Sequence, residues 1–194
     1  MVLEVGCGRG EYTTGLAALF PEKNFVGIDI KGARLWKGSQ VAIAQGLQNA
    51  GFLRIQIQNL LDFFAEEEAS EIWLTFPDPR PKEYDERRRL THPRFLAMYA
   101  HILREGGIFH FKTDDDGLFA YTLEQLAIFE IEPEVMTQDL YHSALLAEHY
   151  GIRTTYEQLF SAKGRTIKYL RFRTTSSVRA RLLQGASIAK ESKN

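Results

Sequence analysis

Short apolar runs alternate with stretches of helical spacing along this chain, and most of the apolar runs end in an unusual polar residue. Val2 to Val5 reads as a strand, followed by a glycine turn from Gly6 to Gly10. "YTTGLAALFP" has helical spacing until Pro21 stops it, because proline lacks the donor that a helix needs. "NFVGIDI" is a second strand, Gly32 to Ala50 a helix closed by Gly51, and "LRIQIQN" a third, alternating strand. "LLDFFAEEEA" reads as a short helix and "EIWLTF" as a fourth strand, with a polar loop to about Thr91. "HPRFLAMYAHILREGG" spaces as a helix ended by its glycine pair, and "IFHFKT" is a fifth strand. Gly117 to Phe129 and "TTYEQLFSAKG" are further helices, and "TIKYLRFRT" is a last strand.

Five strands alternating with helices predict an α/β, mostly parallel sheet covered on both faces. In such sheets ligands bind beyond the carboxyl ends of the strands. Gly6 to Gly10, Asp29, Asn59, Asp78 and Asp114 all fall there, each just after a predicted strand. At 194 residues the chain is expected to be one domain with a real core. No apolar stretch approaches the roughly 18–20 residues of a membrane span, and a single cysteine, Cys7, builds neither a disulfide framework nor a zinc site. A cytoplasmic location, without membrane, is expected. From Arg165 onward eight Lys or Arg face one acid, Glu191, so that end carries +7 and the rest −8. A basic end on an acidic body suits an anionic partner or a solvated tail equally. Residues 176–194 are expected to be that flexible basic tail. Because Met1 is followed at once by a core strand, an upstream lead-in segment is expected to be missing.

The turn "EVGCGRG" lets the backbone bend tightly and approach a ligand. A dinucleotide fingerprint needs glycine at position 11, where this chain has Glu11, and a carboxylate repels a pyrophosphate. The turn therefore points to a nucleoside ligand without phosphates. Glu4, just before the turn, can act through it on a cationic amino-acid group. Asp29 can accept both hydroxyl hydrogens of a ribose. S-adenosylmethionine offers an ammonium, a sulfonium and a ribose, and it is the expected cofactor, with another nucleotide as the alternative. The amide of Asn59 suits an adenine amino group, or the residue simply makes a turn. Cys7 has only a weak claim as a nucleophile.

"FPDPRPK" places Asp78 between two prolines at the mouth of the fourth strand, with cations beside it. The prolines fix φ and pre-place the acid, although Asp-Pro pairs also start turns. Asp114 suits a helix cap or a ligand contact. Thr154 and Glu157 have the spacing of a capping box. Lys82 and Arg87 to Arg89 suit phosphates. Trp73, Phe76 and Phe111 read as core, and Tyr156 as helix packing or a stacking platform. The five histidines have no metal-ligand spacing, and no metal is expected.

The ordered set "EVGCGRG", "GID", "FPDPRPK", "RRRLTHPRFL", "FKTD" and "TTYEQLFSAKG" resembles the bacterial tRNA (guanine-N7)-methyltransferases, from residue 2 to about 173. The resemblance implies a Rossmann-like, seven-stranded class I methyltransferase domain over residues 1–175. It implies methylation of guanine 46 in the tRNA variable loop, with tRNA as partner to a monomer or homodimer. Glu4, Gly6, Gly8, Gly10, Asp29 and Asn59 would hold the cofactor. Asp78 would be the catalytic acid, Lys82 would contact the substrate, and Asp114 with Thr154, Thr155, Tyr156 and Glu157 would complete the guanine pocket. Three features depart from the family: Arg80 stands where many relatives have tryptophan, Glu83, Asp85 and Glu86 dilute the basic loop, and a basic amino-terminal extension is absent before Met1. Two other readings share the fold: a small-molecule methyltransferase, and a cofactor-binding partner subunit without catalysis.

Overall fold

The computed structural model describes residues 1–191, and side chains through residue 185. Seven strands form one sheet: β1 (Val2–Val5), β2 (Phe25–Asp29), β3 (Ala50–Arg54), β4 (Ala69–Thr75), β5 (Leu103–Thr113), β6 (Val135–Thr137) and β7 (Lys168–Thr174). Their order is β3-β2-β1-β4-β5-β7-β6, parallel throughout except that β7 runs antiparallel to both β5 and β6. The helices are α1 (Glu11–Leu19), α2 (Gly32–Ala44), α3 (Pro93–Ile102), α4 (Asp116–Ile128), α5 (Thr155–Ala162) and α6 (Ser176–Glu191).

Both faces of the sheet are buried, which explains why its strands read as apolar runs rather than alternating ones. Leu3, Val5, Ile72, Leu74, Phe109 and Phe111 pack with α3, α4 and α6 on one face. Val2, Trp73 and Tyr169 pack with Tyr12 and Leu16 of α1 on the other. The strand order reverses between β1 and β4, which opens a crevice at their carboxyl ends. Val5 pairs with Leu74 and Leu74 with Phe111, so Gly6, Thr75 and Lys112 begin that crevice side by side.

Four expectations need correction. First, β3 begins at Ala50, where a helix was expected, because Gly46 turns the chain out of α2 with φ of 67°. Second, "LLDFFAEEEA" forms no α-helix; Ile57–Asp62 makes a short 3-10 turn instead. Third, α3 ends at Ile102, and Gly106–Gly107 lie inside β5, where the pairing with β4 shifts register between Ala69 and Glu71. Fourth, the expected tail begins as helix α6, which buries Val178 and Leu182; residues 192–194 lie outside the described residues.

Candidate active site

The glycine turn after β1 is shaped from below by two carboxylates. Glu4 is 3% exposed, and its Oε2 accepts from the Thr13 amide at 2.8 Å and the Thr13 hydroxyl at 2.5 Å. Thr13 lies in the first turn of α1, whose amides have no intrahelical acceptors, so Glu4 fastens the helix to the strand. Thr75 Oγ1 donates to its other oxygen at 3.2 Å. Burial pushes the Glu4 carboxyl up to about 7, against the lowering effect of the threonine hydrogen bonds. Asp29 holds the turn from the β2 side: its Oδ2 accepts from Gly8 N at 2.9 Å and its Oδ1 from Lys31 N at 2.8 Å. Each oxygen keeps a lone pair for a ligand. Gly6, Gly8 and Gly10 all have positive φ, and a Cβ on Gly10 would lie 2.4 Å from Phe52. Cys7 is buried beside these acids, and burial pushes its thiol well above the ordinary range. It stays the neutral thiol and makes a poor nucleophile.

Two cavities open over the crevice. One of about 660 Å3 is lined by Gly6, Asp29, Gln56, Gln58, Pro77 and Asp78, among others. The second, of about 470 Å3, is lined by Gly6, Gly8, Pro77, Asp78, Asp114 and Thr154, with Tyr156 and Arg165 at its side. Asp78 therefore lies on the wall common to both. Its loop is strained in an unusual way: Phe76 and Arg80, neither of them glycine, have φ of 50° and 47° and bracket Pro77–Asp78–Pro79. Such backbone costs about 1–3 kcal/mol per residue and clusters at ligand sites. The loop is tied down by Phe76 N donating to Lys112 O at 2.8 Å and Arg89 Nε donating to Arg80 O at 3.1 Å. Arg80 Nε sits 3.1 Å from Asp78 Oδ2 and orients the carboxylate.

Across the second cavity, Asp114 pairs with Arg165 at 3.0 Å. It is not the helix cap; Asp115 caps α4 by accepting from Leu118 N at 2.7 Å. The capping box of α5 is present, with Thr154 at the cavity and Glu157 beneath it. Glu157 is 1% exposed, and its carboxylate meets Lys112 at 2.5 Å and the Tyr141 hydroxyl at 2.7 Å. Its side chain thus docks α5 on the sheet and does not line the cavity. Thr155 does not line this cavity, but its amide donates at 3.1 Å to Glu11, which does. Asn59 is exposed on the 3-10 turn and lines neither cavity, because β3 ends at Arg54, five residues sooner than its alternation suggests. Gln56 and Gln58 occupy the rim in its place. Lys82 is exposed outside both cavities, with its ammonium 5.5 Å from the Tyr84 ring. Arg88 pairs with Asp85 at 2.9 Å and Arg89 covers Tyr121 at 4.3 Å, so the basic loop is partly self-satisfied.

Four curated or structural likenesses bear on this geometry. A family model described as "Putative methyltransferase" matches residues 1–170. A tRNA (guanine-N(7)-)-methyltransferase from Cytophaga hutchinsonii is 54% identical over 89% of this chain and 79% of its own length. The chain belongs to this family. A relative of the same description from Porphyromonas gingivalis is 49% identical over 89% of this chain and 70% of that protein. Among solved structures, the 16S rRNA methyltransferase KamB superposes with a TM-score of 0.66 at 16% identity, covering 90% of this chain and 87% of that one. At that identity it supports the class I methyltransferase fold alone.

For a tRNA (guanine-N7)-methyltransferase family member, the residues that sequence reasoning misses here are Lys112, Arg165, Lys31 and Arg34. Lys112 ends a buried strand, and its burial outweighs the Glu157 carboxylate, holding the ammonium down at about 8. Among the described residues no cluster of three or more His, Cys, Asp or Glu is arranged to hold a metal, and no helix is long and apolar enough to cross a membrane.

Proposed function

We propose that this protein transfers a methyl group from S-adenosylmethionine to N7 of guanine 46 in the variable loop of tRNA. The observation that carries this reading is the position of Asp78 on the wall shared by the two cavities. The 660 Å3 cavity suits a phosphate-free nucleoside: the Asp29 carboxylate has free lone pairs for ribose hydroxyls, and the buried Glu4 lies beneath the glycine turn. S-adenosylmethionine supplies an electrophilic sulfonium methyl when bound there.

Guanine N7 carries an in-plane lone pair and no proton, so its attack on the methyl requires no general base. Asp29, Glu4 and the glycine turn would hold S-adenosylmethionine, which would supply the methyl group to N7 and keep the S–C electron pair on sulfur, leaving the positive charge on the purine. The protein's part is alignment and charge stabilisation. Asp78, accepting from N1–H and the 2-amino group, fixes the ring and favours that charge. Pro77 and Pro79 restrict the loop before the substrate arrives, and Arg80 keeps the carboxylate oriented. Asp114 and Thr154 close the far wall of the guanine cavity. Family membership supports guanine-N7 methylation of tRNA, since a relative that is 54% identical bears that name. Incubation with methyl-labelled cofactor and unmodified tRNA, followed by nucleoside analysis, tests the proposal. Label in 7-methylguanosine at position 46 is the expected result; label in another nucleoside, or only in a small-molecule acceptor, contradicts it.

A further inference from the structure

A third hollow, of about 260 Å3, lies beside the guanine cavity and takes no part in the chemistry above. It runs between α2 and α5 and is lined by Arg9, Arg34 and Lys37 on one side and Thr155, Tyr156 and Leu159 on the other. Arg34 and Lys37 are one helical turn apart on α2, so they present their charges to the same strip of surface. The groove's one acid, Glu11, is already engaged by the Thr155 amide and hydroxyl. Among the described residues no ion pair is formed by Arg9, Arg34 or Lys37, the cations that line the groove, whereas Lys23, Arg88, Arg165 and Arg173 are each matched to a carboxylate. Three cations against one carboxylate leave the groove net positive, the arrangement an anionic partner neutralises.

The groove adjoins the guanine cavity, with which it shares Glu11, Arg34 and Tyr156. Arg34 Nη2 donates to the Tyr156 hydroxyl at 2.6 Å. The Tyr156 ring is 40% exposed, and the guanidinium lies 5.5 Å from its centroid. A cationic groove with an aromatic face at its mouth is how single-stranded nucleic acid is held: charges follow the backbone and a base stacks on the ring. We propose that this groove carries the tRNA backbone on one side of the target guanine, with a phosphate against Arg34 and Lys37 and the neighbouring base on Tyr156. The inference rests on the tRNA reading above. It adds the cations of this groove to the loop of Lys82 and Arg87 as places for tRNA phosphates.

The test compares wild type, Lys37→Glu and Arg104→Glu. Arg104 is exposed at the amino end of β5, the opposite edge of the sheet from the cleft, so it controls for net charge. Binding of fluorescent unmodified tRNA is read by anisotropy over a salt series, alongside KM and kcat for methyl transfer. For Lys37→Glu the expected result is a roughly tenfold weaker tRNA Kd at low salt, a salt slope smaller by about one, and unchanged kcat. Arg104→Glu should track wild type. Equal affinity and slope in wild type and Lys37→Glu overturn the groove while leaving the methylation reading intact. A wild type that binds tRNA with this Lys37 dependence yet transfers no methyl group supports the groove and overturns the reaction. Failure of the wild type to bind tRNA overturns both.

Discussion

Lys112 Nζ lies 2.5 Å from Glu157 Oε1, and both side chains are 1% exposed. The pair joins the carboxyl end of β5 to α5, the helix that brings Thr154 and Tyr156 to the guanine cavity. Tyr12 and Tyr141 add hydrogen bonds at 2.8 and 2.7 Å, so the buried charges are both paired and solvated by hydroxyls.

Breaking that pair from one side leaves a bare charge in the interior. Glu157→Leu is therefore expected to cost about 3–5 kcal/mol of unfolding free energy. Replacing both partners, Lys112→Met with Glu157→Leu, removes the charge altogether and should recover most of that loss. Urea unfolding of the two single variants and the double variant measures the coupling. A double variant as unstable as the sum of the singles contradicts the account.

Glu4 sets a pH dependence with a definite sign. Its folded-state pKa, about 7, lies above the ordinary carboxyl value of 4.5, so the folded protein binds more protons than the unfolded chain between these limits. Stability from this group is therefore full below about pH 4.5 and declines as pH rises toward 7. The shift corresponds to about 3 kcal/mol. Glu4→Gln keeps the shape and cannot ionise, so the difference in unfolding free energy between variant and wild type should grow over that interval. Parallel pH profiles for the two proteins would falsify this assignment.

The glycines of the turn separate folding from binding. At Gly10 a methyl group meets the Phe52 ring at 2.4 Å, so Gly10→Ala should destabilise the protein by more than the left-handed backbone cost of about 1–2 kcal/mol. At Gly8 a methyl group meets no protein atom within 4 Å. Gly8→Ala should thus pay only the backbone cost, while its methyl group intrudes on the ligand and weakens cofactor affinity at least roughly tenfold. Thermal melts and cofactor titration calorimetry distinguish the two effects. Equal affinity in Gly8→Ala and wild type places the cofactor elsewhere.

Much of this architecture is legible in the residues because a parallel sheet buried on both faces leaves uninterrupted apolar runs, and β1, β2, β4 and β7 lie close to where those runs stand. Misleading patterns come from local chemistry that resembles another element. "LRIQIQN" alternates like a strand, yet the chain leaves the sheet at Arg54, which moves Asn59 off the rim. Gly106–Gly107 looks like a helix stop but lies inside β5, where the pairing with β4 shifts register. The three residues of β6 are too short to give a period, and the basic composition after Arg165 masks Val178 and Leu182, spaced one helical turn apart on the buried face of α6. Asp78 is visible because prolines advertise a fixed turn. Lys112 is not, since a lysine ending a strand reads as solvent-facing until the fold brings Glu157 beneath it.

The most direct measurement is single-turnover methyl transfer to unmodified tRNA by wild type and Asp78→Ala, with cofactor affinity measured on the same samples. Asp78 lies on the surface of a loop held by Lys112 and Arg89, so the variant should fold and bind cofactor as wild type does. Its rate of 7-methylguanosine formation is expected to fall roughly 10²–10³-fold, the scale seen when one preorganised group facing developing charge is removed. An undiminished rate in the folded, cofactor-binding variant would contradict the role given to this carboxylate.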